Sequence, residues 1–173
     1  MFSSLDPSEL AVYTINRSEV LPEDNLKNSF ESGDSRRGLV GTTPADLVLE
    51  RFLKAEDFSS HANPAYVMRI SELYFYRAEA KHFSGDSDGA LVDLNSVRTR
   101  AGLDPYADSN NFLEKYMNEN RWEFFAEGKR LSTLTRIGEA QNVLGIEDFR
   151  RIYPIPAREL TIEGNQLDQN PGY

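Results

Sequence analysis

Ile70-Ser-Glu-Leu-Tyr-Phe-Tyr-Arg-Ala-Glu-Ala-Lys-His-Phe-Ser-Gly85-Asp-Ser-Asp-Gly-Ala-Leu-Val-Asp-Leu-Asn-Ser-Val-Arg-Thr-Arg-Ala-Gly102 is the stretch that decides the fold. The part before Gly85 has few breakers and many aromatics. Tyr74, Phe75, Tyr76 and Phe83 do not share one stripe, so residues 65–84 are predicted to form a helix covered on two sides. Pro64 suits a first helical position. Gly85 fits the position just past a helix end, and Asp86 or Ser87 can cap the helix that follows. Residues 88–101 place Ala90, Leu91, Leu94 and Val97 on one face at helical spacing, and Ala101-Gly102 ends the run with Pro105 beyond it.

Downstream, Asn111 can cap a third helix, with Glu114 three positions on as in a capping box. This helix is expected to run to about Glu127 and to break at Gly128, with a shorter helix from Lys129 to Arg136. After Gly138 comes a short helix or turn. Phe149 to Ile155 is predicted to be extended, leading into a tail anchored by Pro154, Pro156 and Pro171. Each proline fixes its own φ and biases the preceding residue toward extended backbone, so the tail should be ordered and docked. Upstream, residues 1–65 form a loop-rich segment with turn signals at Asp6-Pro7, Leu21-Pro22, Thr43-Pro44 and Asn63-Pro64. A short helix is expected at about 23–31. Residues 46–53 fit either a short strand or a helical turn, and Gly33-Asp34-Ser35-Arg36-Arg37 reads as a charged surface loop.

Composition narrows the function. The net charge is −9, which repels phosphate backbones and argues against a nucleic-acid partner. The chain contains no cysteine, hence no disulfide, thiolate metal site or Cys nucleophile. No apolar stretch reaches the roughly 18 residues of a membrane span. The first residues lack the basic-then-apolar order of a signal peptide. No phosphate-binding glycine loop, Ser elbow or calcium loop is present. Glu79-Ala-Lys-His82 has the Glu-x-x-His spacing of helical di-iron sites, but such sites need a second copy and the chain has only His61 and His82. No cofactor is expected.

Glu119, Glu123 and Glu127 fall on one helical face. An enzyme would use two of them as acid and base. Like charges four residues apart repel, however, and no histidine or organised nucleophile accompanies them. The favoured reading is a structural ion network in which Arg121, Arg130 and Arg136 compensate the carboxylates, and the chain is not read as an enzyme. Residues 71–104 also fit one tetratricopeptide-like repeat, with Ala78 and Ala90 as the small residues at a close helix crossing. An ordinary helical hairpin fits the same pattern. A lone repeat leaves faces that need neighbours. An exposed apolar patch is therefore expected beside the 65–84 helix, because Tyr74, Phe75, Tyr76 and Phe83 cannot all face the 88–101 helix.

Several of these segments resemble the SusD/RagB family in order along residues 22–173. They are Asp34 and Arg36; Arg69-Ile70-Ser71-Glu72-Leu73-Tyr74 with Ala78-Glu79-Ala80; Gly85-Asp86 with Leu94-Asn95, Val97-Arg98 and Arg100-Ala101-Gly102; Glu119, Arg121, Glu123, Glu127-Gly128 and Arg130; and Tyr153-Pro154-Ile155-Pro156 with Gln169-Asn170-Pro171-Gly172-Tyr173. Asn120, Leu131 and Thr133 depart from the family's usual Arg, Trp and Asp, which would weaken the ion network.

The resemblance implies a mainly α, SusD-like fold in which the tetratricopeptide-like hairpin packs on further helices and loop-rich segments, with residues 66–173 as the helical C-terminal region. It implies a surface lipoprotein of the outer membrane that captures glycans for a SusC-like TonB-dependent transporter. The family's export signal and lipid-accepting cysteine are then expected on a longer chain of which this is a piece, and its N-terminal half from a separate chain, or else self-association covers the exposed repeat faces. Glycan capture needs aromatic platforms and planar polar groups. The loop residues Tyr13, Phe58, His61, Asn63, Tyr66 and Tyr106 are the candidates. The alternative is a helical-repeat module that binds a peptide or protein.

Overall fold

The computed structural model describes residues 24–40, 68–125, 127–162, 164 and 166–173. The described chain is mainly helical, with no strand among the described residues. It divides into two compact units, residues 1–126 and 127–173.

In the first unit, α1 spans Asp24–Ser29 and a 3₁₀ turn spans Ser35–Leu39. The hairpin is α2, Ile70–Phe83, followed by α3, Ser87–Arg100. Both of its helices end the same way. Gly85 takes φ +90°; its N–H donates to the His82 carbonyl at 3.0 Å and the Asp86 N–H donates to that of Lys81 at 2.9 Å. Gly102 takes φ +87°, and the Gly102 and Leu103 N–H groups donate to Thr99 and Arg98 at 3.0 and 3.3 Å. Each glycine supplies the left-handed residue that satisfies the last carbonyls of its helix. Asp86 then caps α3 by accepting from the Gly89 N–H at 2.8 Å. Arg77 and Lys81 of α2 clamp Asp93 of α3 at 2.5 and 2.9 Å. Ala78 and Ala90 are fully buried, as the small-residue crossing requires.

Helix α4, Phe112–Glu123, packs on this hairpin. Phe75 meets Tyr116 and Phe124 edge-on, with ring centroids 5.3 and 5.1 Å apart. The Tyr116 hydroxyl donates to Glu79 at 2.7 Å. His82 stacks on Phe112, with its Nδ1 2.8 Å from the Ser87 hydroxyl. The Glu79-x-x-His82 spacing thus serves packing between helices. On the other side of α4, Trp122 and Phe125 form a core with Leu26 and Val40, joined by Phe30 and Leu39. The Trp122 indole donates to the Ser29 hydroxyl at 2.9 Å.

In the second unit, α5 (Arg130–Arg136) and α6 (Ala140–Leu144) pack together, with Leu134 and Ala140 fully buried. A 3₁₀ turn at Asp148–Arg151 and a short α7 at Ala157–Leu160 follow. The tail is clasped by its side chains. Gln169 bonds both the N–H and the carbonyl of Ile155, at 2.8 and 2.9 Å. Asn170 donates to the Tyr153 carbonyl, and the Tyr173 hydroxyl to that of Ile152.

The boundaries need correction. Helix α2 begins at Ile70, because Arg69 is extended and Glu72 reaches back to accept from its N–H at 3.0 Å, and positions 65–67 of the expected helix lie outside the described residues. Helix α4 stops at Glu123, short of Glu127. Asn111 sits in the left-handed region at φ +53° and makes no side-chain cap bond, so the capping box does not form. Extended backbone begins at Ile152 and not at Phe149. Pro64 and residues 46–53 lie outside the described residues.

Exposure along α2 is divided between two sides. Phe75 is buried, whereas Ile70, Leu73, Tyr76 and Phe83 are exposed along one side, and Tyr74 is half-buried.

Candidate functional site

The densest constellation among the described residues is a buried cluster of charge built around α4. Glu119 and Glu123, one helical turn apart, have no exposed surface. At that spacing their charges repel, and burial removes the water that would screen them. Arginines from three other segments resolve the conflict.

The first is Arg36, in the turn that the sequence suggested was a surface loop. Asp34 and Arg36 are in fact buried. The Asp34 carboxylate accepts from the Arg36 backbone N–H at 2.9 Å and from its Nε and Nη2 at 2.9 and 2.8 Å. This fork fixes the guanidinium so that Nη1 lies 2.8 Å from Glu119 and 3.7 Å from Glu123. The Nη1–Glu119 contact is an ion pair that lies off the hydrogen-bond axis. Burial opposes the charge on Arg36, but Asp34 and Glu119 outweigh it and hold the group above its ordinary pKa. The Trp122 ring lies under the guanidinium, 5.6 Å from Cζ. The turn is anchored to the hairpin by the Ser35 N–H, which donates to the Ala101 carbonyl at the end of α3.

The second is α3. Arg98 Nη1 donates to Glu119 at 2.7 Å, its two terminal nitrogens grip Glu31 at 2.7 and 2.6 Å, and its Nε donates to the Asp104 carbonyl at 2.6 Å. The hydrogen bond with Glu31 is the largest influence raising Arg98 above its ordinary pKa and lowering Glu31 below its own. Arg100 Nη2 donates to both oxygens of Glu123 at 2.7 Å. The third is Arg69, at the start of α2, which donates to the Glu123 carboxylate at 2.8 Å and to its backbone carbonyl at 2.9 Å. Four carboxylates (Glu31, Asp34, Glu119, Glu123) therefore meet four guanidinium groups (Arg36, Arg69, Arg98, Arg100).

This arrangement holds charge and is not suited to moving protons. Every cation in it is an arginine, which does not give up its proton in proteins. The cluster clamps α4, the α2–α3 hairpin and the 31–40 segment together.

Arg36, Arg69, Arg98 and Arg100, which neutralise Glu119 and Glu123, all lie outside α4. Arg121 instead hydrogen-bonds Asn25. Glu127, Arg130 and Arg136 belong to the second unit, where Arg130 and Arg136 start and finish α5. Sequence spacing could not reveal Arg69, Arg98 and Arg100 as partners, because the pairs are separated by 21 to 54 residues. Asp34, Arg36, Arg69, Arg98 and Arg100 stand out only as members of family-like segments, with nothing to pair them with α4.

Of the ligand candidates, Tyr13, Phe58, His61, Asn63 and Tyr66 lie outside the described residues. Tyr106 is tied to the cluster. Its hydroxyl donates to Glu119 at 3.2 Å, and its ring faces Arg98 at 4.0 Å and Lys115 at 5.2 Å. Burial, and then the Glu119 charge, push its phenol well above the usual tyrosine range.

The family model of the SusD family matches residues 24–148, a span that contains the hairpin, α4 and every member of the ion cluster. The chain belongs to the SusD family. No curated protein and no solved structure matches it. SusD family membership brings carbohydrate or nutrient binding in association with the outer membrane, in a family that is generally non-enzymatic. Among the described residues no helix is long and apolar enough to cross a membrane. The SusD match ends before the clasped tail at 152–173.

Proposed function

We propose that this chain captures glycans at the cell-surface side of the outer membrane and hands them to a SusC-like TonB-dependent transporter. The observation that carries the reading is the SusD family match over the span that holds the buried ion cluster. That cluster suits a rigid scaffold, which binding needs, and offers no group poised for catalysis. Tyr13, Phe58, His61, Asn63 and Tyr66 are the proposed sugar contacts, with the aromatic rings stacking on sugar C–H faces. Tyr106, whose hydroxyl donates to Glu119, is proposed as a further sugar contact. A glycan array with matched peptide controls tests the reading. Selective binding to one polysaccharide class is expected, and binding to peptides alone would overturn it. Co-purification with a SusC-like transporter tests the hand-over.

One observation favours a second reading, a module that binds protein. Ile70, Leu73, Tyr76 and Phe83 of α2 are large apolar side chains left exposed, which suits an interface. Sedimentation at increasing concentration, with a hydrophobic dye as reporter, tests it. A strict monomer that binds no dye would remove this reading.

A further inference from the structure

We draw no further inference here: the strongest candidate, the exposed apolar side of α2 formed by Ile70, Leu73, Tyr76 and Phe83, belongs to the protein-contact reading already given, and nothing in the structure shows what covers it.

Discussion

Arg36→Met is the perturbation that tests the ion cluster most directly. Methionine keeps much of the aliphatic stem and removes the guanidinium. Asp34 then keeps the Arg36 backbone N–H but loses the fork of Nε and Nη2. Glu119 keeps Arg98 at 2.7 Å and loses the ion pair at 2.8 Å. Both carboxylate side chains have no exposed surface, so water cannot replace what is lost. Leaving a buried charge without its partner costs roughly 3–5 kcal/mol. That is a large part of the roughly 5–15 kcal/mol by which a domain is stable. At about 2–4 °C per kcal/mol for a chain of this length, the midpoint should fall by on the order of 10 °C. Trp122, the sole tryptophan, reports unfolding of this unit in urea by its fluorescence. Because Arg36 lies over its ring, far-UV circular dichroism should be followed in parallel. The double variant with Asp34→Asn should lose less than the sum of the two single losses, since each single change strands the other partner. A loss below about 1 kcal/mol, the range of exposed pairs, or strict additivity with Asp34→Asn would refute the argument.

The Glu31 carboxyl is held below its ordinary 4.5 by the hydrogen bond from Arg98. The unfolded chain therefore binds this proton first on acidification. The stabilisation from the pair is complete above about pH 4.5 and is lost as pH falls through the lowered folded value. Glu31→Gln should flatten the acid limb of a stability-versus-pH curve and leave its slope near neutrality unchanged; an unaltered acid limb would count against the pair. Gly102→Ala should cost about 1–2 kcal/mol in urea titrations, because φ is +87° and the new Cβ would come 3.3 Å from the Gly33 carbonyl. Gly89→Ala, inside α3, should not give the usual helix gain, because its Cβ would overlap the Asp86 carboxylate that caps the helix. Phe75→Ala should cost about 3–5 kcal/mol, since its ring is buried against Tyr116 and Phe124. By contrast, Phe83→Ala on the exposed side should leave the unfolding midpoint nearly unchanged and reduce dye binding.

The sequence by itself determined the helical hairpin. Gly85 and Gly102 stand where the chain must turn left-handed, and the small Ala78 and Ala90 stand where two helices approach. These are local backbone and steric requirements, legible at short range. The carboxylate face of α4 was legible for the same reason, as was its need for compensation, because 3.6-residue periodicity puts Glu119 and Glu123 on one side. Which arginines answer the carboxylates was decided only by the tertiary structure. Arg36, Arg69, Arg98 and Arg100 come from a 3₁₀ turn, the extended residue before α2, and α3, which meet α4 across long stretches of chain. Coulomb attraction depends on distance in space and on burial, and neither is written in residue spacing. The same holds for the 33–37 turn. Its composition is that of a surface loop, yet Asp34 and Arg36 are buried in it, with Asp34 holding Arg36 so that its charge reaches Glu119.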